Sequence, residues 1–203
     1  MEIANIFIYG ASGHGKVVYD CAISSKINVQ GFIDDDPLKQ EFLGCKVYKS
    51  TEISKDWVII VAIGSSQIRK RIVDSLDVNF GIIKHSSSIL SSHTVIHGGT
   101  VFFHNTVVQS GSEIGEHCII NTSSIIDHDC QLGNYVHVAP NAVLCGGVKV
   151  GNSSWIGAGS TIIQGITIGN NCTIGAGSVV INNIPDNAVV VGNPGKIIKY
   201  NNE

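Results

Sequence analysis

The sequence predicts two domains: a Rossmann-like α/β domain over residues 1–84 and an all-β parallel β-helix over residues 85–203. In the first part, apolar strand-like segments alternate with helical segments, which is the pattern of a parallel α/β unit. From Ser88 onward, a large apolar residue recurs at every sixth position from Leu90 to Val180, sixteen times without an insertion. A sandwich of hairpins would need irregular loops, so this period favours a solenoid.

The composition restricts the classes of function. The chain has 203 residues, of which 43% are hydrophobic, 14% are charged and 23 are glycine, as expected for a packed protein with many tight turns. The formal net charge is −3, which gives no indication of a surface that binds nucleic acid or anionic lipid. The N-terminus lacks a signal-peptide pattern, and the longest apolar run, residues 57–63, is too short to span a bilayer. We therefore expect a cytoplasmic protein without membrane insertion.

The elements of the first domain follow from its apolar segments. The second strand ends in three acidic residues, and the third ends at Gly64 and leads into a helix. Another helix is expected over residues 16–25, after the turn GASGHG. The four predicted strands are residues 5–9, 29–33, 57–63 and 80–83.

The glycine-rich turn is a candidate phosphate site. Its glycines, Gly10, Gly13 and Gly15, lie between a strand and a helix, where bare backbone N–H groups can meet a phosphate. The acids that end the next strand can hold a ribose or a base. The spacing differs from the dinucleotide fingerprint, which argues against NAD. A tight turn that binds nothing is the alternative.

The repeat defines an interior. The residue two positions before each large one is small or β-branched, and both point to the same side of a short strand. Cys118, Cys130 and Cys172 occupy this small inward position, so we interpret them as core filler. The spacing of the cysteines does not resemble a zinc site. The α/β unit and the irregular segment 184–196 are expected to cap the two ends of the solenoid.

Blocks such as SEIGEH, VKVGNS, ITIGNN and CTIGAG resemble the hexapeptide repeat of the left-handed β-helix acyltransferases. This resemblance implies a left-handed, triangular coil with three blocks per turn. Together with GASGHG, the acidic strand end and AIGSSQIRK, the repeats make the chain similar to the sialic-acid O-acetyltransferase family over almost its whole length. Within that family it most resembles the bacterial UDP-4-amino-sugar N-acetyltransferases of bacillosamine type.

The resemblance implies an acetyl-CoA-dependent N-acetyltransferase that acts on the amino group of a nucleotide-linked 4-amino-4,6-dideoxy sugar. It also implies a homotrimer with coenzyme A between neighbouring β-helices, and no metal. The small domain would bind the nucleotide sugar. Arg69 can equally be a solvated helix charge. The implied substrate-binding residues are Gly13, His14 and Gly15 at the phosphates, Asp35 and Asp36 at the nucleoside, and Gly64 and Arg69 nearby.

The segment NTSSIIDHD resembles the family's N-T-S-S-x-I-E-H-E, which implies that His128 is the general base and Asp129 orients it. His137 corresponds to the family's second histidine, and Asn121 to a polar residue near the reaction centre. Judged by the residues alone, a histidine between two acids at a turn is more typical of a solvated surface. Asp129 is one methylene shorter than the family's glutamate.

The resemblance also indicates which residues would line the groove that binds coenzyme A. Gly146 would offer its backbone N–H to the thioester carbonyl. Between His85 and Gly195, Lys149 is the only lysine or arginine. The phosphates of coenzyme A would therefore meet backbone N–H groups, Lys149, or the tail lysines Lys196 and Lys199.

Three alternatives stay open at this point. The same machinery could O-acetylate a sialic-acid-like sugar, and a non-catalytic sensor could bind a sugar nucleotide without using a thioester. The third is a zinc hydrase, for which a glycine-rich nucleotide domain has no use. Its ligands would come from His93, His97, His104, His117, His128 and His137. The sequence leaves open whether the nucleotide is UDP or GDP, which sugar is used, and which acyl group is transferred.

Overall fold

The computed structural model describes residues 6–201. Its N-terminal domain is a six-stranded sheet in the order β3–β4–β2–β1–β5–β6, parallel except for the β3–β4 pair. The elements are β1 (Ile6–Tyr9), α1 (Gly13–Ser24), β2 (Val29–Ile33), β3 (Glu41–Phe42), β4 (Cys45–Tyr48), a 3₁₀ turn (Ser50–Glu52), β5 (Val58–Val61), α2 (Ser66–Asp74) and β6 (Asn79–Phe80).

The alternation of strands and helices is confirmed, but two details differ from the prediction. Helix α1 begins at Gly13, three residues earlier than expected, and Gly15 belongs to its first turn. A Cβ at Gly15 would lie 2.1 Å from the carbonyl oxygen of Gly10, so only glycine lets the helix start so close to the turn. The β3–β4 hairpin was not predicted. Asn5, in the first predicted strand, lies outside the described residues.

The single strand predicted over residues 80–83 is wrong, because the chain changes sheets there. Strand β6 pairs with β5, whereas β7 (Ile83–Lys84) pairs with Val101 and Phe102 in the first coil of the β-helix. Gly81 joins the two sheets: its N–H donates to the carbonyl of Ile59 (3.2 Å), and its carbonyl accepts from the N–H of Gly99 (2.7 Å). The coil therefore begins one block before the first predicted hexad.

The predicted period is confirmed by sixteen two-residue strands, and each of the first thirteen pairs in parallel with the strand 18 residues further on, as Val101 does with Ile119. They are β8 (Ile89–Leu90), β9 (Val95–Ile96), β10 (Val101–Phe102), β11 (Val107–Val108), β12 (Glu113–Ile114), β13 (Ile119–Ile120), β14 (Ile125–Ile126), β15 (Gln131–Leu132), β16 (His137–Val138), β17 (Val143–Leu144), β18 (Lys149–Val150), β19 (Trp155–Ile156), β20 (Thr161–Ile162), β21 (Thr167–Ile168), β22 (Thr173–Ile174) and β23 (Val179–Val180).

Three sheets form the faces of a triangular coil. Face 1 contains β7, β10, β13, β16, β19 and β22; face 2 contains β8, β11, β14, β17, β20 and β23; and face 3 contains β9, β12, β15, β18 and β21. The second residue of nearly every two-residue strand enters a single apolar core. Cys118, Cys130 and Cys172 are buried in that core, as predicted, and burial raises the pKa of each thiol.

Both ends of the coil are covered. At one end, α1 and the N-terminal sheet share an apolar cluster with Ile83, Val101 and Phe103 of the first coil. At the other, β24 (Ala188–Val191) extends face 1, and β25 (Lys196–Tyr200) pairs with it antiparallel. Across residues 6–201, neither helix is long and apolar enough to cross a bilayer.

Candidate active site

His128 lies at the corner between faces 2 and 3, in the turn from β14 to β15. Its side chain is 62% exposed, and Nδ1 lies 2.9 Å from Oδ2 of Asp129. The hydrogen bond to Asp129, followed by the charge of Asp127, raises the pKa of His128 above its ordinary value. A carboxylate at Nδ1 fixes the proton of the neutral ring there, which leaves the lone pair of Nε2 available as a base.

The backbone of the coils above and below fixes this pair. A Cβ at Gly146 would lie 2.6 Å from Cε1 and Nε2 of His128, so the imidazole packs directly against the Gly146 backbone. Likewise, a Cβ at Gly111 would lie 2.3 Å from Oδ1 of Asp129. Within residues 6–201, the N–H of Gly146 has no hydrogen-bond acceptor. A free donor therefore lies beside a free imidazole nitrogen.

His137 and Asn121 form a second polar pair, on and beside face 1. Oδ1 of Asn121 accepts the N–H of Thr122 (2.8 Å), so its Nδ2 faces Nε2 of His137 at 3.1 Å and donates to it. The proton of neutral His137 is then on Nδ1. Burial, and then the charges of Arg69 and His14, lower the pKa of His137 to about 3. His137 is thus a neutral hydrogen-bond donor and is unsuited to act as a base.

A groove that the sequence did not predict runs between face 1 and the start of α2. Its inner part, about 280 Å³, is lined by Gly64, Ser66, His137 and Trp155. It continues into a wider part of about 610 Å³ whose lining is rich in side-chain amides and hydroxyls. Trp155 could have been found from the sequence, because one coil has 18 residues and outward residues 18 positions apart lie on the same face. His137 and Trp155 are such a pair.

The glycine-rich turn presents free backbone donors. The first helical bond of α1 runs from the N–H of Lys16 to the carbonyl of Ser12, whose side chain makes no capping bond. The N–H groups of Gly13, His14 and Gly15 therefore lack acceptors within the described residues. No atom lies within 4 Å of a Cβ placed at Gly13, so the space in front of it is open.

His14 combines burial with an unmet hydrogen-bonding group. Its Nε2 is buried without a partner in the described part of the chain, and its ring lies 5.3 Å from that of Phe103. Burial, and then the charge of Arg69, lower the pKa of His14 to about 4. His14 is therefore a neutral imidazole with an unused, buried nitrogen, and it lies between Gly13 and Gly15, whose amides are free.

The three acids at the end of β2 have different roles. Asp34 holds the glycine turn, since its Oδ2 accepts from the N–H of Ala11 (3.0 Å) and from Nζ of Lys39 (2.8 Å). Burial opposes ionisation of Asp34, but these hydrogen bonds keep its pKa below the ordinary value. Asp35 is exposed and Asp36 half-buried, and they flank the glycine turn at the same edge of the sheet.

The position of Arg69 differs from both interpretations of the sequence, which were a substrate-binding residue and a solvated charge on the helix. Its side chain is only 1% exposed, so it is not a solvated charge. It donates to four backbone carbonyls: Nη1 to Ile63 (2.7 Å) and Gly64 (3.1 Å), Nε to His117 (2.8 Å), and Nη2 to Tyr135 (2.9 Å). A guanidinium engaged in this way is not available to bind a phosphate.

The lysines expected at coenzyme A lie apart. Lys149 is exposed on face 3, beside a shallow groove of about 490 Å³ that also includes Glu113 and Gln131. Lys196 is exposed at the start of β25, in the sheet that extends face 1. In residues 6–201, no three His, Cys, Asp or Glu side chains are grouped so that they could hold a metal ion.

One chain therefore separates the candidate residues into two groups. The glycine turn, the groove and the Asn121–His137 pair lie on the side of face 1, where the N-terminal domain packs. His128 and Gly146 lie at the corner between faces 2 and 3, which in a triangular coil is opposite face 1.

Two family models match the chain: the PglD N-terminal domain over residues 5–76 and the bacterial transferase hexapeptide repeat over residues 147–182. A curated relative, GDP-perosamine N-acetyltransferase of Escherichia coli O157:H7, is 35% identical over 91 residues. That match spans 43% of this chain and 40% of the length of the relative.

Solved structures match over nearly the whole chain. The acetyltransferase domain of PglB from Neisseria gonorrhoeae is 34% identical with a TM-score of 0.90, covering 96% of this chain and 99% of that one. The same domain has been solved with acetyl coenzyme A. A histidine-to-asparagine mutant of perosamine N-acetyltransferase from Caulobacter crescentus, with CoA and GDP-perosamine, is 30% identical with a TM-score of 0.90, covering 97% and 98%. The chain therefore belongs to the hexapeptide-repeat acetyltransferases that carry a PglD N-terminal domain, a family of acyltransferase enzymes.

Proposed function

We propose that this protein transfers the acetyl group of acetyl-CoA to the amino group of a nucleotide-linked 4-amino-4,6-dideoxy sugar. The observation that carries the proposal is the exposed His128–Asp129 pair, packed against Gly146 with its free N–H. The named relatives support the substrate class, since the matched structures contain acetyl-CoA, or CoA with GDP-perosamine. The relatives leave the choice between UDP and GDP open for this chain.

The geometry suits direct transfer. Nε2 of His128 takes a proton from the amine as its nitrogen attacks the thioester carbonyl carbon. The N–H of Gly146 donates to the carbonyl oxygen, which becomes negative in the tetrahedral intermediate. Collapse of the intermediate breaks the C–S bond, and the departing thiolate takes the proton from His128, which gives an amide and free CoA thiol. Asp129 stabilises the imidazolium in between.

The acceptor is held by the N-terminal domain in this proposal. The amides of Gly13 and Gly15 and the ring of His14 face the phosphates, and Asp35 and Asp36 face the nucleoside. The sugar then lies towards Gly64 and the neutral donor His137. Lys149 and Lys196 are the candidates to meet the phosphates of coenzyme A, each from a different face of the coil.

We further propose a homotrimer, because one chain does not bring the two groups of residues together. The outward residues of face 2 form an apolar column in which Ile89 is 66% exposed and Ile125 40% exposed. This column continues through Val107 and Val143, and Thr161 separates Val143 from Val179 at its end. His128 borders face 2 at one corner and Asn121 borders it at the other. Packing face 2 around a threefold axis would place His128 of one subunit beside the Asn121–His137 pair of the next.

Subunit mixing tests this arrangement. Two variants, His128→Ala and Gly13→Glu, remove one group each and are expected to be inactive alone. After mixing in equal amounts and reassembly, about one quarter of the sites would combine two intact halves and recover activity. A mixture as inactive as its components would show that each site is formed within one chain.

A panel of acceptors tests the reaction itself. We expect thiol release from acetyl-CoA with UDP- or GDP-linked 4-amino sugars and none with the matched hydroxyl sugars. Release with hydroxyl acceptors alone would replace N- by O-acetylation, and nucleotide binding without thiol release would indicate a sensor. We also propose a cytoplasmic location, since all six cysteines are unpaired, as in a reducing compartment.

A further inference from the structure

Arg69 is a buried cation that bridges the two domains. Within the described residues it forms no ion pair, and burial lowers its pKa to about 10. Removing a guanidinium from water without a carboxylate partner is unfavourable, so its hydrogen bonds must compensate. Four carbonyl acceptors provide that compensation.

These carbonyls lie in the chain segments beside the two walls of the groove, and Gly64 itself lines the groove. Ile63 and Gly64 lie in the loop between β5 and α2, whereas His117 and Tyr135 occupy equivalent turns of consecutive coils. Tyr135 is two residues before His137 in the chain. One rigid, planar group therefore fixes how far the Gly64 wall stands from the His137 wall. The charge of Arg69 also lowers the pKa of both His14 and His137, which places it close to both.

We infer that Arg69 is a positioning residue for the transfer reaction: it holds the N-terminal domain in register with the β-helix, so that the acceptor bound by one is aligned with the polar groups of the other. The inference rests on the proposed function. Each domain keeps its own ligand contacts when Arg69 is lost, because Arg69 contributes to neither set. Alignment between the domains is what changes.

The test compares Arg69→Met and Arg69→Lys with Arg71→Met, which removes an exposed arginine from the same helix. For Arg69→Met we expect kcat to fall at least about tenfold, while the affinities for nucleotide and for acetyl-CoA stay within about threefold. Arg69→Lys is intermediate, since an ammonium has three donors and cannot span four carbonyls. Arg71→Met matches the wild type. Added guanidinium, below denaturing concentrations, is expected to restore part of kcat in Arg69→Ala.

Hydrogen exchange separates this inference from the proposed function. In Arg69→Met we expect faster amide exchange at residues 62–66 and 134–138 and unchanged exchange after residue 150. An unchanged kcat, or a loss that only follows the folded fraction, would overturn the positioning role. If the wild type acetylates no acceptor, the proposed function is wrong. The bridging role of Arg69 is tested separately, because equal amide exchange in the wild type and in Arg69→Met would show that Arg69 does not hold the two domains together.

Discussion

Replacing Gly146 by alanine tests how tightly the coil holds the imidazole of His128, the proposed general base. A methyl group there would lie 2.6 Å from Cε1 and Nε2 of His128, whereas ordinary carbon contacts begin near ~3.4 Å. The ring must therefore move by roughly 0.8 Å, or the coil must give way. A displacement of about 1 Å at a reacting group lowers the rate by about a hundredfold, or about 2.7 kcal/mol in the barrier.

The assay is steady-state thiol release by Gly146→Ala, His128→Ala and the double variant. Because the methyl group acts by moving His128, it should have little further effect once His128 is gone. The backbone at Gly146 is not in the left-handed region, so alanine is tolerated there and the melting temperature should change little. Wild-type kcat in Gly146→Ala, or full additivity in the double variant, would refute the reasoning.

Three further predictions concern charge and assembly. Asp129→Asn removes the largest cause of the raised pKa of His128, so the acid limb of the kcat/KM profile should move to lower pH and the plateau should fall; an unmoved limb would contradict this. Three partly or fully buried imidazoles have pKa values lowered to about 4, 4 and 3. They are His14, His117 and His137. A histidine whose pKa is lowered in the folded state contributes stability above about pH 6.5, and this contribution is lost on acidification. The free energy of unfolding in urea should therefore fall between pH 7 and pH 5 by about 1 kcal/mol per imidazole per pH unit. A free energy of unfolding that stays constant over this range would contradict the prediction. Ile125→Asp places a charge in the apolar column of face 2 and should give monomers in sedimentation, whereas the exposed Glu113→Gln on face 3 should not.

The fold could be predicted where the pattern is long and regular. Six-residue blocks predict the coil, because each block supplies one strand and one corner, and an error in one block does not change the next. Short elements were missed for the opposite reason. The β3–β4 hairpin has only two residues in its first strand, and its turn depends on positive φ angles at Leu43 (53°) and Gly44 (74°). The apolar pattern over residues 80–83 predicted one strand, because it gives no sign that the chain passes from one sheet to another at Gly81.

The candidate site could be predicted only in part. His128 and Asp129 are adjacent in sequence, yet the residues alone favoured a solvated turn, and only the resemblance indicated a base. The four contacts of Arg69 join residues up to 66 positions apart, so no local sequence pattern predicts them. A charged residue on a short polar helix is expected to face water, and only the packing of the helix on the β-helix corner buries it.

The most direct test of the central claim is the turnover of His128→Ala with a nucleotide-linked 4-amino sugar and acetyl-CoA. Loss of the general base should lower kcat at least about a hundredfold, while the circular dichroism spectrum and the oligomeric state stay those of the wild type. Near-normal turnover by the folded variant would contradict the account and would require another group to take the proton.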